Sequence, residues 1–136
     1  MDDIYDITII GGGPSGLYSA FYAGLRDLKT KIIEYKSTLG GKLHIYPEKI
    51  IWDIGGLPAT PAQQVMENLI EQGLTFNPTV CLNTKVDFVT KKGDVFVIET
   101  STGEKHFSKK VVVAVGGGII SPIKLHVEGG EKYEVS

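Results

Sequence analysis

The chain has 136 residues, a formal net charge of −2 at pH 7 and 22% charged residues, which suits one domain of ordinary size with a single core. It has no basic excess of the kind that nucleic-acid binding requires, no apolar stretch as long as a membrane span, and an acidic start, Met1-Asp2-Asp3. We therefore expect a cytoplasmic protein that binds neither nucleic acid nor a membrane.

The first predicted unit is a strand, a glycine-rich turn and a helix. Residues 4–10 are apolar and rich in β-branched side chains, which is typical of a buried parallel strand. The sequence GGGPSG follows at residues 11–16, and apolar side chains then recur with helical spacing from Leu17 to Leu25. In such a turn Gly11 would make the bend, Gly13 would admit a pyrophosphate, and Gly16 would let the helix lie close to the sheet. The pattern predicts a dinucleotide site at a helix N-terminus.

A carboxylate at the end of the second predicted strand narrows the choice of cofactor. Residues 29–34 read Lys-Thr-Lys-Ile-Ile-Glu. Glu34 stands 18 residues after Gly16, close to the position where dinucleotide folds place an acid on the ribose hydroxyls. A ribose that carries a 2′-phosphate would need arginine there. We therefore expect this site to take NAD or FAD, not NADP.

A long connection, residues 35–60, precedes the second predicted helix. It is rich in glycine, proline and aromatic residues, and a connection of that length in one domain indicates a functional role. The helix is predicted to begin with Thr60 as N-cap, Pro61 in its first turn and Gln63 completing a capping box. Gly73 is predicted to end it.

Beyond Thr79 the apolar pattern alternates, which is typical of strands. Residues 85–90, 94–100 and 105–107 are predicted to form an antiparallel meander, and residues 111–115 a further strand that rejoins the parallel sheet. The fold class predicted is α/β, with a Rossmann-like parallel sheet plus an antiparallel three-stranded β-meander. Cys81, the one cysteine, is interpreted as a buried structural thiol. The three histidines are scattered without ligand-spaced neighbours, so no metal site is expected.

Taken together, these segments resemble the FAD domain of the two-dinucleotide-binding flavoprotein reductases, close to bacterial thioredoxin reductase. The resemblance rests on the opening turn, Glu34, Gly40-Gly41, the meander and the Ala114-Val115-Gly116 ending, and it covers the whole chain. The stretch Tyr46-Pro47-Glu48-Lys49, followed by WDIGG at residues 52–56, resembles the thioredoxin-reductase-like ferredoxin–NADP⁺ reductases more specifically.

This resemblance implies a set of cofactor-binding residues. The FAD pyrophosphate would be held by Gly11, Gly13, Pro14, Ser15 and Gly16, and the adenosine ribose by Glu34. The flavin would be surrounded by Gly41, Lys42, Tyr46 and Asp53. Adenine would meet the backbone of Val86, and the cofactor's path would be lined by Ala114 and by residues from Gly116 to Ile120. Lys42 stands where the family usually has glutamine.

The resemblance also implies an activity. In the parent enzyme a hydride would pass from NADPH to FAD, with single electrons leaving to ferredoxin, and the full-length protein would be a homodimer. Residues 1–136 are interpreted as the amino-terminal FAD-binding part, because the family's NADPH domain and its later FAD segment have no counterpart in them. Two alternatives stay open: a thioredoxin reductase, with thioredoxin as the acceptor, and a non-catalytic dinucleotide-binding module.

Overall fold

The secondary structure begins with the predicted strand, turn and helix. The computed structural model describes residues 3–116, 123–124 and 134–135. Two helices are present in this part: α1 (Pro14–Leu25) and α2 (Ala62–Gly73), together with a short 3-10 helix, Gly41–His44. The strands are β1 (Ile4–Ile10), β2 (Thr30–Ile33), β3 (Ile50–Ile51), β4 (Thr60–Pro61), β5 (Thr79–Cys81), β6 (Val86–Lys92), β7 (Val95–Thr100), β8 (Lys105–Val113), β9 (Ile123–Lys124) and β10 (Glu134–Val135). No helix among these described residues is long and apolar enough to cross a membrane.

Six of the strands form one mixed sheet, in the order β5-β2-β1-β8-β7-β6. β5, β2, β1 and β8 are mutually parallel, while β6, β7 and β8 pair antiparallel. The order places β1 in the middle of the parallel strands, and the glycine turn follows directly from its carboxyl end. The predicted α/β class, with a parallel sheet and an antiparallel meander, is therefore confirmed.

The last long strand differs from the prediction of two separate strands, residues 105–107 and 111–115. β8 runs without interruption from Lys105 to Val113, pairing with β7 at its start and with β1 from Phe107 to Val113. The polar residues 108–110 separate the two predicted strands. In the structure the buried Ser108 hydroxyl donates to the carbonyl oxygens of Tyr5 and Lys110, so these polar residues fit inside a continuous strand.

The two faces of the parallel strands bury different partners. On one face Ile9 and Ile32 pack with Leu17 and Ala20 of α1. Their chain neighbours Ile10 and Ile33 point the other way and pack with Ile98 of β7. Because β7 is not adjacent to β2 in the sheet, this contact requires the meander to fold back over the parallel strands. The molecule thus has three layers: helices, parallel strands and meander.

The start of α2 also differs from the prediction. Thr60 and Pro61 form β4 and pair with Ile51 and Ile50. The Thr60 hydroxyl donates to the carbonyl of Pro58, and within residues 3–116 no side chain accepts a hydrogen bond from the N-terminus of α2. The first helical N–H groups, those of Ala62 and Gln63, donate to the carbonyls of Lys49 and Pro47 at 2.8 and 2.9 Å. The capping box is therefore wrong, because backbone carbonyls of the long connection satisfy these groups. The predicted end at Gly73 is confirmed.

Candidate functional site

The glycine turn is built from contacts that leave no room for side chains. Gly11 has φ +114°, and a Cβ on it would lie 2.1 Å from the carbonyl oxygen of Ala114. The Ala114 N–H in turn donates to the carbonyl of Ile10 at 2.8 Å. A Cβ on Gly16 would lie 1.9 Å from the carbonyl oxygen of Gly11. These two glycines let the turn, α1 and the end of β8 meet backbone to backbone.

The first residues of the long connection lie directly on this turn. The N–H of Gly40 donates to the carbonyl of Gly12 at 2.8 Å, and a Cβ on Gly41 would lie 2.9 Å from the Cα of Gly13. Both Gly40 (φ +118°) and Gly41 (φ +62°) have left-handed backbones that favour glycine. The predicted flavin-binding segment, which starts at Gly41, therefore lies against the glycine turn that is predicted to bind the pyrophosphate.

The N-terminus of α1 presents free hydrogen-bond donors at the same place. Gly13 is the N-cap residue, no side chain of the described residues caps the helix, and its first turn has no acidic residue. Pro14 has no N–H, and Leu17 N–H donates to the Gly13 carbonyl, which leaves the N–H groups of Ser15 and Gly16 without an intrahelical acceptor. Pro14 and Ser15 are exposed. Such a helix end attracts an anion through both its N–H groups and its dipole.

Glu34 ties this turn to the end of β2. The residue is 9% exposed. Its Oε1 accepts a hydrogen bond from the N–H of Gly12 at 2.8 Å, and its Oε2 accepts one from the N–H of Lys36 at 2.8 Å. Each carboxylate oxygen can accept a further hydrogen bond, so the group can still receive sugar hydroxyls. The sequence placed Glu34 at the site but gave no sign that it also holds the turn.

A polar cavity of about 820 Å³ opens beyond Glu34. Three segments line it: residues 35–38, residues 83–85, and residues 100–102 together with Glu104. The first two are held together because the N–H groups of Asn83 and Thr84 donate to the carbonyls of Lys36 and Glu34, each at 2.9 Å. Val86 follows the second segment as the first residue of β6. Val86, the predicted adenine contact, is not among the lining residues. The sequence did not indicate the lining residues, because only long-range packing brings the three segments together.

The residues predicted around the flavin are spread along the long connection. Lys42 is exposed on the 3-10 helix, Tyr46 is half-buried, and Asp53 is exposed. The Nζ of Lys49 lies 5.2 Å from the centre of the Tyr46 ring. Within residues 3–116, no hydrogen bond or ion pair joins the Lys42, Tyr46 or Asp53 side chains to the turn.

The structure thus brings together one part of the predicted set and leaves another apart. The residues that meet at the turn are Gly11, Gly13, Pro14, Ser15, Gly16, Glu34, Gly41 and Ala114. Gly116 has φ +64° and lies just beyond β8, whereas residues 117–120, including Ile120, lie outside the described residues. The fold and the turn define a dinucleotide-binding α/β domain of the kind that takes an adenosine diphosphate group at the first strand–helix junction.

Comparison with known families agrees with this class. The pyridine nucleotide-disulphide oxidoreductase family matches residues 5–136, and the chain belongs to this family. The expectations of a flavoprotein oxidoreductase and of FAD as its cofactor are confirmed at the level of the family.

Curated relatives and solved structures place the chain within the family. It is 60% identical to ferredoxin–NADP reductase 3 of Lysinibacillus sphaericus, over 100% of this chain and 39% of the relative, and 57% identical to ferredoxin–NADP reductase 1 of Bacillus thuringiensis strain Al Hakam, over 99% and 39%. The chain therefore spans about two fifths of the length of these relatives.

Among solved structures, the thioredoxin reductase of Streptococcus pyogenes superposes with a TM-score of 0.76 at 25% identity, over 93% of this chain and 39% of that one. A ferredoxin-flavin thioredoxin reductase of Clostridium acetobutylicum gives 0.74 at 29% identity, over 91% and 42%. The resemblance inferred from the motifs is confirmed by these relatives.

Proposed function

We propose that this chain is the FAD-binding portion of an NADPH-dependent ferredoxin–NADP⁺ reductase. The observation that carries the proposal is the 57–60% identity to ferredoxin–NADP reductases along essentially the whole chain. The geometry of the turn supports it independently, because the free N–H groups of Ser15 and Gly16 and the carboxylate of Glu34 suit the two ends of an adenosine diphosphate.

In this proposal the chain's residues bind and orient the cofactor. The N-terminus of α1 binds the pyrophosphate, and the close contact between Gly13 and Gly41 keeps that approach free of side chains. The Glu34 carboxylate accepts hydrogen bonds from the ribose hydroxyls, and its negative charge repels a 2′-phosphate. The cavity beyond Glu34 takes the adenine, next to the backbone of Val86. Bound FAD supplies the hydride-accepting chemistry, while the protein supplies position and electrostatics.

The remaining assignments belong to the whole protein. Lys42, Tyr46 and Asp53 are proposed to surround the flavin, and Ala114 and residues from Gly116 to Ile120 to line the cofactor's path. Ferredoxin is proposed as the electron acceptor, in a cytoplasmic homodimer. The solved thioredoxin reductases favour thioredoxin as the second candidate acceptor. Because the identities of these two structures, 25% and 29%, are about half those of the ferredoxin–NADP reductases, 57% and 60%, ferredoxin is the first candidate.

Cofactor binding is tested with FAD itself. The purified protein should show the visible absorption bands of flavin, and an FAD titration should give a saturable site, whereas the non-catalytic NAD module would bind NAD in preference. Steady-state reduction of ferredoxin against thioredoxin by the full-length protein then decides the acceptor. Faster reduction of the thioredoxin disulfide than of ferredoxin would overturn the ferredoxin assignment.

The role of Glu34 gives the first mutational prediction. Loss of hydrogen bonds to a charged acceptor costs about 1.5–3 kcal/mol, so Glu34→Ala should weaken FAD binding by about 10- to 150-fold. Glu71→Ala, an exposed carboxylate on α2, is the matched control and should leave the affinity unchanged. Urea unfolding of both variants shows whether Glu34→Ala also destabilises the fold through the lost hydrogen bond from the Gly12 N–H. Weaker FAD binding with unchanged stability indicates a lost ribose contact. Equal FAD affinities for wild type and Glu34→Ala would show that the carboxylate does not contact the cofactor.

A further inference from the structure

Two basic side chains face each other between the parallel strands and the meander. Lys31 of β2 is 8% exposed and His106 of β8 is 5% exposed, and the Nζ of Lys31 lies 2.9 Å from the Nδ1 of His106. Buried cations are normally paired with carboxylates. Within residues 3–116, Lys31 forms no ion pair with a carboxylate.

The contact fixes the protons of the histidine ring. An ammonium group can only donate, so Nδ1 of His106 accepts the hydrogen bond and the neutral ring carries its proton on Nε2. That Nε2 has no hydrogen-bond partner among the described residues and lies 3.4 Å from Oε1 of Glu104. The Glu104 side chain is 63% exposed. The ring therefore bridges a buried cation and a solvated carboxylate.

The other groups around this pair do not neutralise it. From β1 the Tyr5 ring lies 4.1 Å from the Nζ of Lys31 and 4.6 Å from that of Lys29. From β5 comes Cys81, whose pKa is raised by burial, so that it stays a neutral thiol. Burial, and then the charge of Lys31, lower the pKa of His106, against a smaller opposite effect of Glu104.

The pair lies beneath one wall of the polar cavity beyond Glu34. Glu104, which faces His106, also lines that cavity together with residues 100–102, and its carbonyl accepts a hydrogen bond from the Thr100 N–H at 2.9 Å. Opposite His106 in the sheet is Ile98, which packs with Ile10 and Ile33. Any loss of contact at His106 therefore reaches both the meander and the cavity.

We propose that Lys31 and His106 form an acid-sensitive latch that fastens the meander, and with it one wall of the cavity beyond Glu34, to the parallel strands. A proton added at Nδ1 replaces the acceptor of the Lys31 hydrogen bond with a donor. Two positive charges then face each other at 2.9 Å in a site with little water. Opening of the meander relieves this repulsion, because both groups become hydrated.

The direction of the pH effect on the closed form follows from proton linkage. The pKa of His106 is lower in the closed form than the usual value of about 6.5 that an open form restores. The latch therefore stays closed above about pH 6.5 and weakens as the pH falls toward the pKa of the closed form. Uptake of one proton favours opening by up to about tenfold at pH 5.5.

The opening is measured by hydrogen exchange on the full-length protein, with and without FAD. Between pH 7.5 and 5.5, the amides of residues 96–99 and 105–108 should lose up to about tenfold in protection after correction for intrinsic exchange. His106→Gln keeps an acceptor for Lys31 but cannot be protonated, so its protection should not change with pH. Lys31→Met removes the opposing charge and should also reduce the response. His44→Gln, a histidine exposed on the 3-10 helix, should behave as wild type.

The link to the cofactor has its own measurement. Release of FAD, followed by flavin fluorescence, should accelerate at pH 5.5 in wild type and His44→Gln but not in His106→Gln. Only this measurement rests on the proposed function: failure to bind FAD at any pH defeats that proposal, while hydrogen exchange still judges the latch. Unchanged protection in wild type between pH 7.5 and 5.5 would overturn the latch. A loss of protection in His106→Gln as large as that of wild type would overturn it as well.

Discussion

At the scale of single residues, two glycines with opposite surroundings test how tightly the turn is built. A Cβ on Gly16 would lie 1.9 Å from a backbone oxygen, whereas one on Gly55 would meet no atom of the described residues within 4 Å. Gly16→Ala should therefore destabilise the fold by at least about 1–3 kcal/mol, while Gly55→Ala should be neutral or stabilise it by about 0.4–1 kcal/mol. Urea unfolding measures both. A tolerated Gly16→Ala would mean that α1 and the turn are not in close contact.

Lys42 offers a second test, since it replaces the glutamine expected from the resemblance. An ammonium group near a bound flavin favours the reduced, anionic form over the neutral oxidised one. At about 4 Å and an effective dielectric constant near 20 the attraction is about 4 kcal/mol, which solvent around an exposed side chain reduces to about 1. Lys42→Gln should then lower the two-electron potential by about 20 mV in a potentiometric titration. Equal potentials would place Lys42 in solvent, away from the flavin.

At the scale of elements, the N-terminus of α2 distinguishes a side-chain cap from a backbone one. Loss of a true N-cap hydroxyl costs about 1 kcal/mol, and up to 2. The Thr60 hydroxyl instead donates to Pro58, so Thr60→Ala should cost less than about 0.5 kcal/mol, the usual limit for surface positions. Thermal or urea unfolding is sufficient. A loss near 2 kcal/mol would restore the capping box predicted from the sequence.

The elements that the sequence predicted well are those determined by neighbouring residues. β1, the glycine turn and α1 follow from a local apolar pattern and from the backbone freedom of glycine. β8 was divided in two because its buried polar residue Ser108 finds partners 103 residues away in the chain, at Tyr5. Thr60 was wrongly predicted as the N-cap of α2, because the carbonyls of Pro47 and Lys49, which lie well before it in the chain, accept the hydrogen bonds of the first helical N–H groups. Local patterns do not reveal partners of this kind.

At the scale of the whole molecule, one part of the candidate site is determined by residues close together in the chain and the other part by long-range packing. The glycines and Glu34 share one strand–helix–strand unit, so spacing alone predicted their meeting. The cavity beyond Glu34 joins segments that begin at residues 35, 83 and 100, and its shape depends on how the meander folds back over the sheet. The Lys31–His106 contact belongs to the same packing, which explains why neither residue stood out in the sequence.

The whole molecule also limits what the chain can do alone. Its sequence carries one strand–glycine–helix fingerprint, and the acid of that fingerprint disfavours a 2′-phosphate. We therefore expect the 136-residue chain to show no NADPH-dependent bleaching of bound FAD, with ferredoxin or with an artificial acceptor, in anaerobic absorption spectra. Dithionite, which needs no nucleotide site, should bleach the same sample and shows that the flavin is reducible. NADPH oxidation by this chain would require a second nucleotide site within it and would overturn its assignment as the FAD-binding portion.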